Sequence, residues 1–200
     1  MSANISGPAR LLAALCLLLS ASGHIGAQEH RHHGAHVHGV AELNIVLDGT
    51  TLLVELHSPA HNLVGFEHPP RTEAQHQALT RARAALEDAD RVFSLPAAAA
   101  CSLIGVEAES VLFGKSHDHR NHAHHHKHDH DHDHKPGNEH QHADIHVHYE
   151  FHCTNVNALR YMDMLLFESF PGTERLRVQR IGRGGQDATT LTPERNRLPM

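Results

Sequence analysis

Histidine appears 25 times in 200 residues, and its placement defines the chemistry open to this chain. The densest run, between Lys115 and His142, holds His117, His119, His122, His124, His125, His126, His128, His130, His132, His134, His140 and His142. A neutral imidazole is a nitrogen ligand suited to Zn²⁺, Cu²⁺ and Ni²⁺. Alternation of His and Asp from 128 to 134 lets an adaptable backbone offer several nitrogens and a carboxylate oxygen together. The expectation is several ions in exchanging geometries, with zinc the foremost and Ni²⁺ or Cu²⁺ accepted in vitro; a single tetrahedral cage is not expected. Since four Asp, one Glu and almost nothing apolar accompany these histidines, the segment cannot build a core. Residues 115–142 are therefore expected to be a disordered His/Asp-rich loop.

Two further clusters fall where the pattern becomes regular. From Asp144 onward, Ile145, Val147, Tyr149, Phe151 and Cys153 alternate with His146, His148, Glu150 and His152, the period-two mark of a strand with one apolar face. His146, His148 and His152 share its polar face, where neighbours can share an ion. Upstream, His30, His32, His33, His36 and His38 form a leader running into Val37, Ala41, Leu43, Ile45 and Leu47, another alternating stretch. This reading puts His36 and His38 on the even face of that strand with Glu42. His61, His68 and His76 read as surface or satisfied polar residues.

The elements that must position these side chains begin with a hairpin. Asp48-Gly49 is a two-residue turn signal, and pairing 47 with 50 sets Ile45 opposite Leu52, Leu43 opposite Val54 and Ala41 opposite Leu56. In that register Glu42 faces Glu55 and His57 faces Val40. Two carboxylates opposed across a ladder repel, so His38, Glu42, Glu55 and His57 are a candidate cation site. Residues 60–70, with Gly65, Pro69 and Pro70, read as an irregular connection. Thr72 and Gln75 open a helix carrying Ala74, Ala78, Leu79, Ala82 and Leu86. A strand follows over 101–113. After residue 153, Asn155 or Asn157 would cap a short helix bearing Leu159, Met162, Leu165 and Leu166, ending at Pro171-Gly172. Leu176, Val178 and Ile181 suggest one more strand before a tail of undetermined structure. The fold class is α+β: an antiparallel sheet with one or two packed helices, interrupted by the insertion.

Residues 1–27 carry one basic residue, Arg10, the apolar run 11–19 and small residues to Ala27, the pattern of a signal peptide cleaved after Gly23 or Ala27. Its apolar run is about half of the ~20 residues a membrane helix needs, so the remainder, 28–200, is expected to be a single metal-binding domain without an integral membrane segment. Cys101 and Cys153 then reach an oxidising compartment and pair, closing a loop of about fifty residues that contributes roughly 3–4 kcal/mol. The rival reading, two thiolate zinc ligands, is disfavoured because Cys153 lies on the apolar parity of its strand. A net charge of −6 with neutral histidines argues against a nucleic-acid partner. No His-Glu-x-x-His, Gly-x-Ser-x-Gly or phosphate loop occurs, so no enzyme is expected.

Taken together, His36-Val-His-Gly39, Ala41-Glu-Leu-Asn-Ile45, Ser58-Pro-Ala-His-Asn-Leu-Val-Gly-Phe-Glu-His68, Tyr149-Glu-Phe-His-Cys153, Leu166-Phe-Glu-Ser-Phe-Pro171 and Gly185-Gln186 resemble the ZrgA-like periplasmic zinc uptake proteins over residues 36–192. The resemblance implies a periplasmic protein that binds zinc and assists an inner-membrane ABC-type importer, with a histidine-rich insertion of variable length. It does not say which ordered residues bind metal. The alternative function is a periplasmic buffer or detoxification protein for Zn, Ni or Cu.

Overall fold

Nine-residue strands β1 (Val40–Asp48) and β2 (Thr51–Pro59) form the hairpin at the centre of a computed structural model that describes residues 37–114, 142–182 and 184–200. The expected signal peptide, the leader histidines His30, His32, His33 and His36, and the insertion histidines from His117 to His140 lie outside the described residues. Chain order continues through helix α1 (Ala60–Val64), helix α2 (Glu73–Glu87), β3 (Phe93–Ser94), β4 (Cys101–Glu109) and β5 (Asp144–Cys153). It ends with β6 (Tyr161–Met164), helix α3 (Leu166–Ser169), β7 (Arg175–Gly182), β8 (Gly185–Leu191) and β9 (Arg197–Pro199).

A six-stranded sheet in the order β4-β5-β2-β1-β7-β8 is antiparallel except where β7 runs parallel to β1, and a three-stranded sheet has the order β3-β6-β9. Alternation in each strand decides the faces. Ala41, Leu43 and Ile45, Leu52, Val54 and Leu56, Ile145, Val147 and Tyr149, and Leu176 and Val178 are all buried on the inner face. The same core takes in Leu79, Ala82 and Leu86 of α2 and Phe93, Met162, Met164 and Leu198 of the small sheet. Within it, the Tyr149 hydroxyl donates to the Leu86 carbonyl at 2.8 Å and meets the Phe93 ring edge-on. Burial pushes the Tyr149 hydroxyl far above its ordinary pKa, so it remains a donor at any physiological pH. The α+β class expected from the sequence is therefore present.

Several expectations are corrected. The hairpin register differs by two residues: Asp48 pairs with Thr51, Ile45 with Val54, Leu43 with Leu56 and Glu42 with His57. Gly49 and Thr50 are thus the central turn residues, and only Gly49 has a positive φ, 58°, the type II′ arrangement that asks for glycine at the first central position. A shift of two residues returns every side chain to its own face, so apolar alternation could not distinguish the registers. Glu42 and Glu55 are consequently not opposed. The first strand also starts at Val40 rather than at 37, because Gly39, at φ 82°, turns the chain and places His38 before the ladder. Residues 60–64 form α1 within the expected irregular connection. The helix expected after residue 155 is replaced by β6 and the four-residue α3: Met162 and Met164 alternate into the core, a period-two pattern hidden in a stretch where helical and extended spacing overlap. β4 ends at Glu109, short of 113, and the tail contributes β8 and β9.

Candidate metal centre

The outer face of the large sheet collects the polar side chains left by the alternation. Cross-strand registers line up Glu109, His146, His57, Glu42 and Arg177 in one row, and Glu107, His148, Glu55, Asn44 and Gln179 in the next. Glu107 and Glu109 join these rows because β4 contains a bulge between Leu103 and Gly105. Before it, Cys101 and Leu103 pair with the inward Cys153 and Phe151; after it, Val106 and Ala108 take the inward parity and the glutamates turn out. One extra residue in an edge strand thus converts an apolar face into two carboxylates beside histidines.

Three side chains converge where the first row meets the start of β5. His57, Asp144 and His146 each place a ligand atom within 4.8 Å of the others. β2 and β5 dictate this: His57 is paired with His146, and Asp144 precedes His146 by two residues on the same face. The His57 and His146 rings stack at 4.3 Å with 13° between their planes. Nε2 of His57 is sealed from solvent, makes no hydrogen bond, and lies 3.3 Å from Oδ2 of Asp144. That separation already matches the ligand-to-ligand edge of ~3.3–3.5 Å in a tetrahedral zinc site with bonds near 2.1 Å.

Electrostatics favours the ligating form. Burial, followed by the neighbouring His57 ring, holds the His146 imidazole below its ordinary pKa. An imidazole held below its ordinary value keeps a nitrogen lone pair for a cation at pH 7, and the ring stacked on it would repel a second positive charge. Oε2 of Glu42 stands 4.0 Å from Nδ1 of His57 on the side of the ring away from Asp144, where a carboxylate can support a metal-bound histidine.

The other described residues of the expected sites lie outside this centre. His148 is in the adjoining row, with Nδ1 3.5 Å from Oε1 of Glu55. His152 is exposed at the far end of β5 between Ser102 and Thr51, away from the other histidines of its strand. His38 and His142 both approach Glu67. Of the hairpin set His38, Glu42, Glu55 and His57, the structure keeps Glu42 beside His57 and sends the other two elsewhere. Cys101 and Cys153 form a disulfide across β4 and β5, so neither thiolate is available to a metal. Asp144 and Glu67 were not singled out in the sequence. Asp144 shares the parity of His146 and was legible on that ground, whereas Glu67 offers no local pattern.

The family model of ZrgA family zinc uptake proteins matches residues 35–200. Among curated proteins none matches the chain. A histidine and carboxylate centre on a sheet whose sequence carries that match from its first strand to its last leads to one assignment: the chain belongs to the ZrgA family of zinc uptake proteins.

Proposed function

We propose that the protein is a non-catalytic zinc-capture accessory of the periplasm, gathering Zn²⁺ on its histidine-rich segments and supplying it to an ABC-type importer of the inner membrane. The observation that carries the reading is the convergence of His57, Asp144 and His146 in a chain of the zinc uptake family. Export is supported by the apolar run of residues 11–19 and by the disulfide, which persists in oxidising compartments. Among the described residues no helix is long and apolar enough to cross a membrane.

Capture by many tethered nitrogens works through effective concentration: each site exchanges quickly while the chain as a whole retains ions. The ordered centre adds a fixed nitrogen and oxygen set at the end of that path. Metal must displace protons from imidazole, so retention falls as the medium acidifies. A carrier and a buffer differ in what the cell loses without them. A strain lacking the protein should grow poorly under zinc starvation, and restoring it with His57→Gln, Asp144→Asn and His146→Gln combined should recover less growth than the wild-type chain. Sensitivity confined to zinc, nickel or copper excess would contradict the uptake reading and favour a buffer.

A further inference from the structure

A second group of side chains repeats the plan of the first at the same end of the sheet. The chain leaves β2 directly into α1, whose Asn62 is buried and clamps the start of β1: its Oδ1 accepts from the Gly39 amide at 2.7 Å and its Nδ2 donates to the Val40 carbonyl at 3.0 Å. This clamp sets His61 against His38, their rings stacked at 4.1 Å and 9°. Gly65, left-handed at φ 85°, ends α1 and turns the chain so that Glu67 follows. Nε2 of His38 lies 2.9 Å from Oε1 of Glu67, and Nδ1 of His142 lies 2.5 Å from Oε2. Glu67 is only 11% exposed, while His38 and His142 are 51% and 59% exposed.

We propose that Glu67, His38 and His142 form a second zinc-class divalent cation site, separate from His57, Asp144 and His146. Both oxygens of one sequestered carboxylate face an imidazole nitrogen, so an ion chelated there takes a nitrogen from either side. The present contacts are at hydrogen-bond distance, and among the described residues only the first centre already brings three ligand atoms within 4.8 Å of one another; a tetrahedral ion with bonds near 2.1 Å spaces its ligands at ~3.3–3.5 Å, so binding here requires the two exposed rings to swing together around the carboxylate. His38 closes the leader histidines and His142 closes those of the insertion. The carboxylate therefore joins the last imidazole of each series, two residues ahead of Asp144 in the first centre. The inference goes beyond the capture reading and does not need the first centre to bind.

Carbethoxylation of individual histidines by diethylpyrocarbonate, read by mass spectrometry on the full mature chain during titration with zinc chloride, separates the two sites. His38 and His142 should become protected together at one zinc concentration. Glu67→Gln should abolish protection of both by at least tenfold in modification rate while His57 and His146 remain protected. Should Glu67→Gln fail to fold, His38→Gln provides the same test, since it should unprotect His142. Unchanged modification of His38 and His142 with zinc in the wild-type chain, or joint protection that survives Glu67→Gln, would overturn the second site and leave a hydrogen-bonded bridge only. Loss of protection at His57 and His146 alone would instead count against the first centre.

Discussion

His146 gathers on one ring the influences that decide whether this sheet can hold a cation. Partial burial and the stacked His57 push its pKa down, with burial the larger effect, while Asp144 and Glu109 pull it up by less. In the metal-free protein its ring should titrate below the ordinary imidazole value of 6.5, and His57→Gln should move the midpoint part of the way back up. Proton NMR of the ring signals against pH checks this; a midpoint at or above the ordinary value would contradict it. The linkage sign follows. Between the lowered folded pKa and the ordinary value the unfolded chain binds more protons, so His146 makes the fold more stable as pH rises through that window, and the contribution is lost on acidification. The histidines themselves were legible in the sequence, because strand parity put His146 and His148 on one face. Their partners were not, because they are set by which strands β5 pairs with and in what register, a long-range choice that alternation within one strand does not encode.

At the scale of elements, short irregular pieces do more positioning than the regular ones. The bulge at Leu103 and Gly105 turns Glu107 and Glu109 toward His148 and His146, and the five-residue α1 carries both the Asn62 clamp and His61. Asn62→Ala would leave the Gly39 amide and the Val40 carbonyl unpaired in a buried place, at a cost of about 2–4 kcal/mol. Chemical denaturation of the metal-free chain should show that loss, and a change below about 0.5 kcal/mol, the range of ordinary surface substitutions, would mean the clamp is not needed. Gly172 belongs to the same arrangement, since a Cβ there would fall 2.5 Å from the Asn62 carbonyl oxygen. Regular alternation made β5 readable to the residue, from Asp144 to Cys153. It failed for β6, where four residues between a 3₁₀ turn and α3 are too few to establish a period. The capped helix was legible because Thr72 accepts from the Gln75 amide, a local interaction that needs no tertiary partner.

Across the whole molecule, the fold keeps its sulfur and its imidazoles apart. The disulfide ties β4 to β5 on the inner parity, and the histidine rows occupy the outer one, so the cysteine sulfurs are not among the ligands the candidate centre offers. The large sheet is assembled from residues on both sides of 115–141, a stretch almost without apolar side chains, so the proposed function expects most of the bound ions from a part of the chain whose sequence offers little to a core. Zinc binding at neutral pH, measured by equilibrium dialysis on three proteins, tests this division most directly: the mature chain, a variant lacking residues 116–140, and the mature chain with His57→Gln, Asp144→Asn and His146→Gln. The mature chain should bind several equivalents. The deletion should lose most of them yet keep its tightest site and, without metal, nearly its full melting temperature; the triple variant should lose that tightest site, its affinity falling at least tenfold. An empty dialysis, or a triple variant that holds its tightest zinc as firmly as the wild type, would contradict the account.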